Sequence, residues 1–254
     1  MARRFLAEGM RLVLADQNAD ALDAIRGEFQ DAEFVIADVG RVADIERLAD
    51  QAYAAFGAVH VLCNNAGIGS RPYATWQHTA ESWEHVLDVN LRSVIHGVRI
   101  FVPRMLAQDS EGHIVNTASM AGHGAAPLMG PYNVTKYGVV ALSEVLHFEL
   151  MLSHSKLRVS ALCPGFVKTN IADSAGETTG LTPEQEAFRA MIRQRVETGI
   201  PAAEVAAAVM DAIRQERFWI LTHPDYKPAI TTRAEAIVAG ENPPLAMLAQ
   251  GVGE

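Results

Sequence analysis

The chain has 254 residues and a formal net charge of −9, with 49% of its residues hydrophobic and 20% charged. That balance supports a large buried core and excludes disorder for the chain as a whole. The acidic excess, unbroken by any basic run, would repel phosphate backbones and anionic lipid heads, so neither nucleic acid nor a membrane surface is an expected partner. Cys63 and Cys163 both lie in apolar runs far apart in the chain, so no disulfide framework and no metal cluster is expected. No apolar stretch reaches membrane-spanning length. The features fit a cytoplasmic protein, with one domain over residues 1–240 and a loosely ordered tail over 241–254.

In chain order, Ala2–Glu8 reads as the last turns of a helix running straight into the apolar run RLVLAD at 11–16. Similar runs follow at 33–38, 59–64, 113–119, 157–163 and 217–223, each suited to a strand buried on both faces. Helical patterns separate them at Ala19–Phe29, Val42–Phe56, Glu81–Leu106 and Tyr132–Ser153, then at Pro183–Val196 and Pro201–Gln215. Thr182 before Pro183, with Gln185 close behind, marks a helix start. The polar, glycine-containing stretch at 173–180 reads as a mobile loop. Strands alternating with helices predict an α/β fold with a doubly wound parallel sheet.

Tyr132 and Lys136 are four residues apart in a helical pattern, so they share one face. A cation beside a phenol favours phenolate and lowers its pKa toward working pH, the condition for general acid/base chemistry. Ser119 closes a buried strand just upstream, and open α/β sheets place their ligands at strand C-termini. A hydroxyl there can hold a reacting oxygen beside the tyrosine. Asn64-Asn65-Ala66-Gly67 and Cys163-Pro164-Gly165 end two further strands in small or polar residues, so three strand ends converge on one crevice. Asp16 ends the strand at 11–16, where a carboxylate can bond both ribose hydroxyls of NAD and would repel the 2′-phosphate of NADP. NAD is therefore preferred.

NNAG at 64–67, Asn90, Ser119, YxxxK at 132–136 and PGxxxT at 164–169, in this order and spacing, resemble the short-chain dehydrogenase/reductase family from Ala2 to about residue 223. The resemblance implies a Rossmann-like domain and hydride transfer between NAD(H) and a secondary alcohol or ketone. It implies that Tyr132 is the acid/base and that Ser119 orients the substrate oxygen. Lys136 would lower the tyrosine pKa and grip the nicotinamide ribose, and Asn90 would support a water-borne proton relay. Asn65, Ala66, Gly67, Pro164, Gly165, Val167 and Thr169 would line the cofactor, Val167 and Thr169 at the carboxamide. Asp38 and Val39 resemble the adenine-side contact, although an Asp ending a strand in a turn explains Asp38 equally well. The loop after Ser119, Phe166 and the helix at 183–199 would wall a mainly apolar substrate pocket. FVPRM at 101–105, GPY at 130–132 and TNI at 169–171 are similar to a branch acting on hydrophobic or aryl alcohols. His123 is a loop histidine outside the expected catalytic set, and Arg71 and Trp76 flank the NNAG turn without an assigned part. A homodimer through the long helices, or a homotetramer completed by the strand near 217–222, is also implied.

The family opens with a strand and a glycine-rich TGxxxGxG turn that holds the dinucleotide pyrophosphate, and residues 1–254 contain neither. The first strand is thus expected to be missing, its place lying between the strands at 11–16 and 59–64. A start assigned too late would account for it. The alternative is a truncated, catalytically impaired protein serving as a dinucleotide sensor or scaffold.

Overall fold

The computed structural model describes residues 1–245. Helix α1 (Ala2–Ala7) leads into β1 (Val13–Asp16), α2 (Ala19–Ile25), β2 (Glu33–Ile36), α3 (Val42–Phe56) and β3 (Val61–Asn64). Next come α4 (Ala80–Leu87), a π-helical turn (Asp88–Arg92), α5 (Ser93–Ala107), β4 (Gly112–Thr117), α6 (Gly130–Leu152) and β5 (Leu157–Leu162). The remaining elements are β6 (Val167–Lys168), α7 (Pro183–Glu197), β7 (Ile200–Pro201), α8 (Ala202–Arg214), β8 (Trp219–Ile220) and α9 (Lys227–Ala239). Residues 241–245 carry no regular secondary structure, and the rest of the expected tail lies outside the described residues.

Every strand pair is parallel: β3, β4, β5 and β8 form one sheet in that order, β1 pairs with β2, and β6 pairs with β7. Parallel strands need crossover connections, and the helices that supply them cover both faces. Alternation along β4 divides the core accordingly. Ile114 points to a cluster with Ile45 and Ala49 of α3, Ile100 and Met105 of α5, and Leu146 and Leu150 of α6. Its neighbour Val115 points to the opposite cluster, with Phe5 of α1, Val205 and Val209 of α8, and Leu162 of β5. This is the doubly wound α/β arrangement that the alternating pattern predicts. Among the described residues no helix is long and apolar enough to cross a membrane.

β1 and β3 belong to separate ladders, and a cavity of about 800 Å³ lies between them. On β1, the carbonyls of Leu12 and Asp16 accept from Glu33 and Ala37 on the β2 side. Backbone groups alternate along a strand, so Val13 and Ala15 turn theirs toward the cavity. On β3, His60 O accepts from His113 N on the β4 side, which turns Val61 and Cys63 toward the same cavity. Burial pushes the Cys63 thiol up to about 12.

Several boundaries differ from the sequence reading. The helix expected over 81–106 is interrupted by the π-helical turn at Asp88–Arg92. The strand expected over 217–223 is reduced to Trp219–Ile220, because β5 offers a partner at Ala161 and Leu162 alone. α7 starts where expected: Thr182 Oγ1 accepts from Gln185 N (3.3 Å) and Gln185 Oε1 accepts from Thr182 N (3.0 Å), a reciprocal capping box. The segment at 173–180, expected to be a mobile loop, is tied to the segment after β3. Ser174 Oγ accepts from Gly69 N (2.9 Å), and the Tyr73 hydroxyl donates to Thr179 O (3.0 Å).

Candidate active site

The C-terminal ends of β3, β4 and β5 open on a second cavity of about 640 Å³, walled on the far side by α7. Ser119 follows β4 in extended backbone and caps a short 3-10 turn: its Oγ accepts from Ala121 N (3.1 Å) and lies 3.4 Å from Pro164 O. Tyr132 enters from the first turn of α6 and lines the same cavity as Ser119, close enough for the serine to favour its phenolate. One turn later Lys136 is 2% exposed, and its Nζ donates to Thr117 O (2.9 Å) while sitting 5.6 Å from the Tyr132 ring centroid. Ser119, Tyr132 and Lys136, singled out from spacing, thus line one cavity.

The electrostatics differ from expectation in one respect. The Tyr132 pKa is raised, because burial of the phenol outweighs the opposing influence of Ser119. The Lys136 ammonium is directed at a carbonyl, which leaves it acting on the phenol only through space. Burial also lowers Lys136 to about 8, against an opposing pull from Cys163. At neutral pH the pair is therefore a protonated phenol beside an ammonium that burial holds close to losing its proton.

Asn90 sits in the π-helical turn and is fully buried behind the loop after β3. Its Oδ1 accepts from Ile68 N (2.8 Å), and its Nδ2 donates to Ile68 O (2.9 Å) and lies 3.4 Å from Thr135 Oγ1. It does not line the cavity: its side-chain amide clamps the backbone beyond NNAG. Within that turn, a Cβ on Gly67 would stand 3.4 Å from both Asn90 Oδ1 and Lys136 Nζ, so glycine lets the loop lie against the lysine.

The expected cofactor residues fall in two groups. Gly67, Pro164, Gly165, Val167 and Thr169 line the cavity beside Ser119, while Asp16, Val39 and Ala66 line the one between β1 and β3; Asn65 borders both. Asp38 lines neither cavity. Its Oδ1 accepts from Gly40 N (2.9 Å), the turn that was the other reading of this residue. Asp16 Oδ1 likewise accepts from Asn18 N (2.9 Å).

Met120, Met129 and Phe166 line the cavity, as expected for an apolar pocket. Leu128, His123, Arg71 and Trp76 do not; His123 Nε2 lies 3.3 Å from Cys163 Sγ, and Trp76 is 87% exposed. Among the described residues no cluster could hold a metal ion.

Three supporting groups escaped the sequence reading. Asn133 Nδ2 donates to Ala121 O (2.9 Å) and Gly124 O (3.2 Å), fixing the loop after Ser119. Asn64 Nδ2 donates to Asn116 Oδ1 (2.8 Å), and Asn116 Nδ2 to Ser143 Oγ (3.0 Å), which ties β3, β4 and α6 together beneath the site. His223 Nδ1 accepts from Gly165 N (3.0 Å) and its Nε2 pairs with Phe166 O (3.0 Å), so the neutral Nε2–H tautomer braces the turn after β5. The one available signal was Asn116, an amide in the middle of a run otherwise read as buried strand.

Comparison with known proteins agrees in one direction. A family model described as short chain dehydrogenase matches residues 1–180. The chain is 30% identical over 249 residues to a CLA biosynthesis dehydrogenase/reductase of Lactiplantibacillus plantarum, covering 92% of this chain and 87% of that protein. It is 32% identical over 230 residues to a 1-deoxy-11-beta-hydroxypentalenate dehydrogenase of Streptomyces avermitilis, covering 89% and 80%. Among solved structures, a short chain dehydrogenase/reductase of Burkholderia phymatum in complex with NAD superposes with a TM-score of 0.89 at 39% identity, covering 95% of this chain and 92% of that one.

Proposed function

The chain belongs to the short-chain dehydrogenase family, and from that premise we propose that it moves a hydride between NAD(H) and a secondary alcohol or ketone of an apolar small molecule. The observation that carries the reading is the convergence of Ser119, Tyr132 and the buried Lys136 on one apolar-walled cavity. When bound, the nicotinamide dinucleotide supplies or accepts the hydride. The protein's own work is to place and protonate the oxygen.

In reduction, Ser119 holds the carbonyl oxygen and Tyr132 donates its hydroxyl proton to it as the carbon becomes tetrahedral. The raised tyrosine pKa keeps that proton available at neutral pH. In oxidation the same hydroxyl must first lose its proton, which higher pH favours. Lys136 favours the phenolate through space for as long as it keeps its own proton, up to about pH 8. Asn90 acts through the backbone of Ile68, holding the loop that carries Gly67 against Lys136.

What fits a dinucleotide is the pair of cavities bordered in common by Asn65, with Asp16 beside one and Thr169 beside the other. A carboxylate at Asp16 favours NAD over NADP. Within residues 1–254 the expected contacts to the dinucleotide therefore lie toward its two ends, Asp16 at the adenosine ribose and Thr169 at the carboxamide. We also propose a homo-oligomer built on α6, whose Val145, Phe148 and Leu152 are 52%, 59% and 81% exposed at helical spacing.

The test is NADH oxidation against a panel of apolar ketones. Tyr132→Phe is expected to lower turnover by about a hundredfold or more with NADH affinity unchanged. Undiminished turnover in that variant would remove Tyr132 from the chemistry.

A further inference from the structure

The charge around the candidate active-site cavity runs against that of the chain. The sequence carries 30 acidic residues against 21 Lys and Arg. The described residues lining this cavity include Lys136, Arg189, Arg193 and Arg195, with Asp173 as the one carboxylate. Asp173 is engaged in an ion pair with Arg193 (2.5 Å). Arg189 and Arg195 are both half-buried on α7, and each is fixed in place. Arg189 Nη1 donates to Thr178 Oγ1 (2.8 Å), while Arg195 is hydrogen-bonded to Tyr226 and stands 5.6 Å over the Phe166 ring. The same helix presents Phe188 and Ile192 to the cavity, one turn apart, with Arg195 a further turn along. The wall facing Tyr132 is thus an apolar stripe accompanied by guanidinium groups.

An acidic protein that gathers cations at one apolar pocket raises the local potential for anions there, and half-buried guanidinium groups are screened less than surface ones. We infer that the substrate is an amphipathic anion, an apolar body carrying a carboxylate that Arg189 and Arg195 receive while the body lies along Phe188 and Ile192. This rests on the oxidoreductase reading for the word substrate, but the anion site itself can be tested by binding alone.

Titration calorimetry with octanoate and the isosteric octanamide, each in the presence of saturating NADH, measures the preference for charge. The expected result is octanoate bound about tenfold or more tightly than octanamide, since a guanidinium–carboxylate pair is stronger than a neutral one. The preference should weaken in Arg189→Gln, disappear in Arg189→Gln/Arg195→Gln, and be largely kept in Arg189→Lys, which retains the charge. NADH affinity should stay within about twofold throughout. Equal binding of the acid and the amide, or a preference that survives the double substitution, would overturn the inference. So would a drop in NADH affinity with octanoate binding unchanged, which would assign the guanidinium groups to the phosphates of the dinucleotide. If the double variant fails to fold, as judged by circular dichroism, Arg189→Gln and Arg189→Lys decide the matter. A wild-type chain that prefers octanoate yet reduces no ketone would defeat the oxidoreductase reading and leave the anion site standing. Ketone turnover without any preference for octanoate would do the reverse.

Discussion

Replacing Lys136 by methionine should abolish turnover and stabilise the fold at neutral pH. The ammonium is 2% exposed and its pKa falls from 10.5 to about 8 through burial, which corresponds to about 3 kcal/mol against the charged form. A depressed lysine pKa means the folded state binds fewer protons than the unfolded one between pH 8 and 10.5. Wild-type stability from this group therefore rises with pH across that window, and the penalty is in full force below it. Methionine removes the penalty but leaves Thr117 O without its donor, at a cost of about 1 kcal/mol. The net gain near pH 7 is about 2 kcal/mol, or a Tm rise of roughly 4–8 °C for a chain of this size. Thermal unfolding of both proteins, followed by circular dichroism at pH 7 and again above pH 10, gives the difference free of groups common to both. The advantage should shrink or reverse at the higher pH. A variant less stable than wild type at pH 7, by a margin independent of pH, would refute the idea that the cavity around Lys136 holds a destabilising charge.

Three other outcomes follow from the geometry. Asn90→Ala leaves Ile68 N–H and C=O unpaired, so urea unfolding should report a loss of about 2 kcal/mol or more, with turnover reduced as the Gly67 loop loosens; unchanged stability would mean the clamp is dispensable. Asp16→Ala should weaken NADH binding and move the NADH-to-NADPH affinity ratio toward NADPH by about tenfold, whereas equal losses for both would deny the carboxylate a part in cofactor choice. Phe148→Glu puts a charge on the exposed stripe of α6 and should lower the mass measured by light scattering; an unaltered assembly, or a monomer in both, argues against that interface.

The sequence was most informative where chemistry depends on short spacings. YxxxK on one helix, a serine ending a buried strand, and the small residues after β3 and β5 are local patterns, and the parallel sheet brings them together. Less legible were contacts that join distant segments through single amides. Nothing in the neighbourhood of Asn90 reveals that its amide reaches Ile68 across 22 positions, or that a π-helical turn is what aims it there. His223 hides for the same reason, 58 residues from the Gly165 N–H it accepts from. The Tyr132 pKa runs opposite to what its spacing from Lys136 implies, because a helical spacing reports adjacency and is silent about burial, which here outweighs other influences on the phenol. Asp38 marks the opposite limit: its carboxylate accepts a hydrogen bond within its own turn, as a strand-ending Asp does, and the sequence shows that much.

The separation of β1 from β3 bears on how the molecule opens. The β1–β2 ladder is joined to the four-stranded sheet through side chains such as Phe5, Leu12 and Phe29, packed with Val115 and Leu162, and among the described residues no backbone ladder crosses the gap. Such a unit can lift away without breaking the ladders of β3, β4 and β5, so its amide protons should exchange with solvent through a local opening at lower free energy than those of β4 and β5. The half of the molecule carrying Asp16 would then come and go while the half carrying Tyr132 stays folded. A ligand that bridges the two would be recognised by the exchange it slows in β1 and β2.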